Sequence, residues 1–190
     1  MPFYPDDASV PTELRTDEFL LRPLRAADVA LDYEAVMAPQ EPLRQRTGGR
    51  WPHPGFTLAE NLVDLDGHEA DFEARRGFTY TVLDPRQTRC LGCVYVYPLE
   101  DEDEDEDGDS VDRDHEAMVW FWIRPDGVAD DLDRRLLAAL MPWLHRDFAF
   151  TRVLVRTSTT DERQLALVRE AGLQTVDTGR RGQHEDVLFG

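Results

Sequence analysis

Residues 115–146 read HEAMVWFWIRPDGVADDLDRRLLAALMPWLHR, an aromatic and β-branched run joined to a helical pattern by a short polar turn. In the first part, Met118, Trp120 and Trp122 alternate with Val119, Phe121 and Ile123. Both faces are apolar, so the run predicts a central strand buried on two sides. Pro125, Asp126 and Gly127 break it, and from Leu132 the apolar positions Leu136, Leu137, Leu140, Trp143 and Leu144 recur at helical spacing. Asp130 or Asp131 can cap that helix, and Pro142 is expected to kink or loosen its second half.

A central strand that delivers a turn onto a helix start is a common phosphate cradle, because the first helical N–H groups are unpaired and point outward. Here the turn is acidic. Asp130, Asp131 and Asp133 are expected to satisfy those donors themselves and to repel an anion.

The chain has 190 residues, 41% of them hydrophobic, which suits one domain with a sizeable core. Nothing resembles a signal peptide, and no apolar run approaches the roughly 20 residues that span a bilayer, so the expected compartment is the cytoplasm. A formal charge of −18 argues against nucleic acid or an anionic membrane as partner and leaves room for a cationic one. Every basic residue is an arginine, which excludes a lysine nucleophile or Schiff base.

Cys90 and Cys93 form a C-x-x-C in the strand-like run CLGCVYVY. Positions three apart on a strand face opposite ways, and no second pair completes a zinc site, so the spacing is expected to be coincidental and no metal is expected. A redox dithiol is the competing function for this pair.

Taken in order, residues 1–16 are rich in Pro and Asp and predict a loosely held arm. Glu18 to Leu24 reads as a strand, and Arg25 to about Met37 as a helix ended by Pro39 and Pro42. Between Leu43 and Phe56 lies an irregular basic and aromatic loop with Arg50 and Trp51, read as a crossover with Trp51 in the core or as the wall of a binding cleft. Thr57 to Arg75 is an amphipathic helix with Leu58, Leu62, Leu65 and Phe72 inward. Phe78 to Leu83 and Arg89 to Leu99 make a hairpin across Asp84-Pro85-Arg86-Gln87.

Residues 100–114 hold eleven acidic residues against Arg113, more than half of the net charge. Such a run cannot pack and predicts a solvated loop, a solubility feature or a means of steering a polycationic substrate. Arg152 to Ser158 is a further strand, Asp161 opens the helix stopped at Gly172, and a last hairpin with His184 near its turn closes the chain.

This order of elements resembles the GNAT superfamily of acyl-CoA-dependent N-acyltransferases. FLLRPLRAADV is similar to that family's opening strand and first helix, CLGCVYVYPL to its third strand with Gly92 in the usual place, and DERQLALVREAGL to its last helix. The resemblance implies a single α/β (mixed α+β) domain over residues 17–190: a six- to seven-stranded, mostly antiparallel mixed sheet with about four helices and a splayed central strand pair. It implies acetyl-CoA as co-substrate, held by Trp122, Ile123, Arg124, Val128, Ala129, Asp130, Asp131, Leu132 and Asp161. The family's Arg-Gly-x-Gly-x-Gly/Ala loop falls on Val128, Ala129, Asp131 and Asp133, so every named position departs. Its tyrosine acid falls on Val168.

The resemblance further implies direct attack of an amine of a small molecule or peptide on the thioester. Glu116 or His115 is the expected base and Ser158 the expected acid, with Arg50, Trp51, Trp120 and His184 on the acceptor side. The aromatic strand is compatible with a homodimer. The altered loop motivates a second expectation, a binding or regulatory module that keeps the fold without using acyl-CoA.

Overall fold

A computed structural model describes residues 3–38, 41, 43, 44, 50–99, 115–181 and 184–190, except for the side chains of 180, 181 and 184. The acidic stretch 100–114 lies outside the described residues, as do the side chain of His184 and residues 45–49 of the basic loop.

Eight strands form one sheet: β1 (Leu14–Arg15), β2 (Leu20–Pro23), β3 (Phe78–Leu83), β4 (Cys90–Pro98), β5 (Glu116–Ile123), β6 (Arg152–Ser158), β7 (Thr175–Arg181) and β8 (His184–Phe189). Their spatial order is β1-β2-β3-β4-β5-β6-β8-β7. Every neighbouring pair is antiparallel except β5 and β6. The helices are α1 (Val29–Met37), α2 (Leu58–Glu73), α3 (Pro125–Ala129), α4 (Leu132–Asp147) and α5 (Glu162–Glu170). The strand count exceeds the expected six to seven. The short α3 is the helix the sequence does not announce, because Pro125 fits a first helical position and Arg124 in extended conformation leads into it. None of the described helices is long and apolar enough to cross a membrane.

The alternation of β5 places the sheet between two cores. Val119, Phe121 and Ile123 pack with Leu136, Leu140 and Leu144 of α4. On the other face Trp122 and the half-buried Trp120 join Ala35 and Val36 of α1. The α4 helix continues through Pro142 as far as Asp147 instead of loosening there.

Three local expectations are overturned. The N-terminal segment is docked: Tyr4 is fully buried, donates to Ser9 O at 3.1 Å and accepts from Ala149 N–H at 3.0 Å. The α2 helix keeps Leu65 buried and Phe72 on the core as expected, but is turned so that Leu58 is 46% and Leu62 39% exposed while Asn61 is buried. Cys90 and Cys93 share a face. A register shift opposite Val82 and Leu83 pairs Cys90 with Leu83 and Gly92 with Val82, so Leu91 is bulged out and the alternation skips a residue.

Candidate active site

The parallel pairing of β5 and β6 runs from Glu116 with Arg152 to Val119 with Val155 and then stops. Beyond it both strands continue, β5 through Trp120 to Ile123 and β6 through Arg156 to Ser158, so the sheet opens into a notch. A wedge holds the notch apart. Gln164 of α5 is buried, donates from Nε2 to Phe121 O at 2.7 Å, and accepts from Thr157 Oγ1 at 3.0 Å. On the β4 side the strands press together: a Cβ on Gly92 would lie 2.0 Å from Trp122 O, which is why glycine stands there. Of Trp122, Ile123 and Arg124, expected to hold acetyl-CoA, Arg124 has its backbone N–H committed to Leu91 O at 2.8 Å.

At the head of the notch, α4 begins at Asp131, which takes the left-handed φ of 58°. Asp131 stands at the N-cap position, but its side chain makes no cap hydrogen bond. Arg163 of α5 draws it off, donating to Asp131 Oδ1 at 2.6 Å and to both carboxylate oxygens of Asp133 at 2.9 and 3.0 Å. That bond to Arg163 holds the Asp131 carboxyl below its ordinary range. The expectation that these carboxylates close off the helix start is corrected for Asp131, which pairs with Arg163 and makes no cap hydrogen bond, and holds for Asp133, which takes one first-turn donor. Arg134 N–H is taken by Asp133 Oδ1.

Val128 packs on the core, Ala129 closes α3, Asp130 N–H bonds within that turn, and Leu132 is buried. Asp161 caps α5 by accepting from Gln164 N–H at 3.0 Å. Trp122 is 1% exposed, so its indole belongs to the core. Arg124 is also buried and donates to Glu34 Oε1 at 2.9 Å.

On the face of the sheet covered by α1 and α2, a cavity of about 300 Å³ is walled by Trp51, Tyr95 and Trp120 and floored by Leu24 and Leu65. Its polar lining is Asp32, Asn61, Asp64 and His68. Trp120 stacks on its cross-strand partner Tyr95 at 3.8 Å with the rings 5° from parallel. Trp51 donates its indole N–H to Asp64 Oδ2 at 2.9 Å. Trp120 is the first β5 residue past the end of the β6 pairing, so this one residue stands both on the bank of the notch and in the cavity wall.

Asn61, Asp64, Leu65 and His68 lie at helical spacings of three, four and seven on one face of α2. Asp32 of α1 is buried, which raises its carboxyl; it accepts from Asn61 Nδ2 at 2.9 Å and Cys93 Sγ at 3.5 Å. Asn61 Oδ1 is buried with no partner. His68 Nδ1 sits 2.8 Å from Tyr97 Oη and 3.2 Å from Thr79 Oγ1. Burial lowers its pKa below the ordinary 6.5, so the ring is neutral at pH 7. Ligand atoms of Cys90, Cys93 and Asp32 lie within 4.8 Å of one another. Hydrogen bonding with Cys90 and burial push the Cys93 thiol up and keep it protonated.

The expected catalytic residues are dispersed. Glu116 shares the cavity face but lies four residues back along β5 from Trp120, roughly 13 Å at about 3.3 Å per residue. It forms an ion pair with Arg152 at 3.8 Å. His115 faces the other way, with Nδ1 3.4 Å from Phe3 O. Ser158 lies on the β6 bank of the notch, its Oγ 2.9 Å from Thr160 Oγ1. Arg50 is exposed, whereas Trp51 and Trp120 do line the cavity. His68, Asn61 and Asp64 were not singled out from the sequence, although polar residues on an inward helix stripe are the signal that marks them.

The Acetyltransferase (GNAT) domain family matches residues 18–174. Among solved structures, the ribosomal-protein-S5-alanine acetyltransferase from Vibrio fischeri superposes with a TM-score of 0.72 at 12% identity, over 94% of this chain and 95% of that one. RimL, a ribosomal L7/L12 α-N-protein acetyltransferase solved with coenzyme A, gives a TM-score of 0.72 at 14% identity over 92% and 93%. The microcin C7 self-immunity acetyltransferase MccE, solved with acetyl-CoA and AMP, gives 0.71 at 10% identity over 97% and 98%. The comparison with curated proteins returned no match.

Proposed function

The chain belongs to the acetyltransferase (GNAT) domain family, and from that premise we propose that it acetylates an amine of a small molecule or peptide by direct attack, with acetyl-CoA as co-substrate. The observation that carries this reading is the position of Trp120, which lines the cavity and stands at the point where β5 and β6 part. One opening suits an acyl donor and the other an acceptor.

Bound acetyl-CoA supplies an activated acetyl thioester. The start of α4, with Arg163 beside it, is the place for its phosphates, and the open edge of β5 is the place for its amide arm. Tyr95, Trp120 and Trp51 exclude water and orient the acceptor chain. In the tautomer whose Nδ1–H is donated to Tyr97 Oη, His68 presents Nε2 as the base that removes a proton from the attacking amine. Ser158 Oγ, on the opposite bank beside Thr160 Oγ1, relays a proton from solvent to the departing sulfur in this reading.

Amine-dependent release of free CoA thiol across a panel of primary amines tests the proposal. Acetylated product at a rate that depends on His68 is the expected result. Saturable acetyl-CoA binding with no acetylation of any amine contradicts it.

A further inference from the structure

The polar end of the cavity carries two carboxylates, with no arginine among the described residues that line it. Asp32 is 3% exposed and receives one amide N–H from Asn61. Asn61 is fully buried, and its Oδ1 has no partner. A buried carbonyl without a donor is costly, and Asn61 is one of the residues behind the cavity wall, joined to Asp32 through Nδ2. Asp64 adds a second carboxylate, and Trp51 and Trp120 offer ring faces. Carboxylates, an unpaired amide oxygen and aromatic faces in one small space describe a seat for an ammonium group, which brings three N–H donors and a positive charge.

Such a seat is unsuited to the amine that reacts. Carboxylates in a desolvated pocket favour the protonated form, and an ammonium has no lone pair with which to attack a thioester. The group held there and the group acetylated are therefore different groups of one molecule.

We propose that the acceptor is a small aliphatic diamine or polyamine whose second ammonium is held by Asp32, Asn61 and Asp64 while its first amine reacts toward the notch. This rests on the transferase reading only for the fate of the first amine. A cavity of about 300 Å³ is of small-molecule scale. A net charge of −18 favours the approach of a polycation.

Calorimetry on the whole protein without acetyl-CoA tests the seat independently of catalysis, using 1,4-diaminobutane against n-pentylamine, which has a methyl group where the diamine has its second ammonium. The titrations are run at high salt, where general attraction to the acidic surface is screened. The expected result is at least about tenfold tighter binding of the diamine, with the preference falling severalfold in Asp64→Asn, whose half-exposed side chain tolerates the change. Asp32→Asn is expected to abolish the preference if it folds. Equal affinity for the two amines, no binding of either, or a preference that survives Asp64→Asn at full strength would overturn the proposal. Diamine preference without any acetylated product would uphold the seat and defeat the transferase reading, whereas equal acetylation of both amines would do the reverse.

Discussion

Two pairs of carboxylates flank the route from notch to cavity, and their surroundings are opposite. At the start of α4, Asp131 and Asp133 share Arg163, which crosses from α5 to meet both. In the cavity, Asp32 and Asp64 stand among described residues that include no arginine, and Asn61 Oδ1 has no partner among them. At the start of α4 one arginine offsets part of the charge of two carboxylates and draws Asp131 away from the helix donors, which lowers the cost of an anion there. In the cavity Asp32 and Asp64 accept, among the described residues, only from the neutral groups of Asn61, Cys93 and Trp51, so a carboxylate there calls for a cation. Counting acids along the chain does not distinguish the two sites. Their partners do.

The largest expected effect breaks the chemistry between the two. His68→Ala should lower kcat by about a hundredfold or more, the scale of losing a positioned base, while Glu116→Gln should change it less than about threefold. Steady-state kinetics on both variants checks this, and a reversal would return the base to β5. Because burial lowers the pKa of His68 below 6.5, the wild-type rate should hold into mildly acidic solution and fall only below that value. The folded state binds fewer protons than the unfolded chain here, so His68 costs stability as pH drops through 6.5 and below. Denaturation midpoints across pH should show a shallower acid limb in the variant.

Removing the shared partner should collapse the contrast. Arg163→Ala leaves Asp133, whose side chain is 5% exposed, without its cation. The expected cost is about 2 kcal/mol in chemical denaturation, below the range for a fully buried pair because Arg163 is 40% exposed. Acetyl-CoA affinity should fall about tenfold, since unpaired carboxylates would then face the phosphates. The smallest effect should sharpen it. Asp131→Gly removes an exposed carboxylate and suits the φ of 58°, so calorimetry should show acetyl-CoA binding roughly threefold tighter.

Much of the frame was legible. The alternation of Met118, Trp120 and Trp122 with Val119, Phe121 and Ile123 identified the central strand, and the switch of period after Pro125 identified α4. What escaped depended on contacts far apart in sequence. Arg163 lies 32 residues from Asp131, so the acidic turn read as self-capping when its charge belongs to α5. Tyr4 is secured by Ala149, 145 residues away, so the N-terminal segment looked loose. The bulge that turns Cys90 and Cys93 to one face inserts a single residue, and an alternation argument has no means of seeing it. The stripe of Asn61, Asp64 and His68 was within reach of periodicity, but the weight of Leu58 and Leu62 turned the expected apolar face of α2 the wrong way.

The most direct test is product-resolved turnover with acetyl-CoA and 1,4-diaminobutane, wild type beside His68→Ala, with products identified by mass. The expected outcome is a diamine carrying a single acetyl group, formed by the wild type and reduced about a hundredfold in the variant. Acetyl-CoA that binds but yields only hydrolysis, or a monoacetylated product that His68→Ala makes at the wild-type rate, would contradict it.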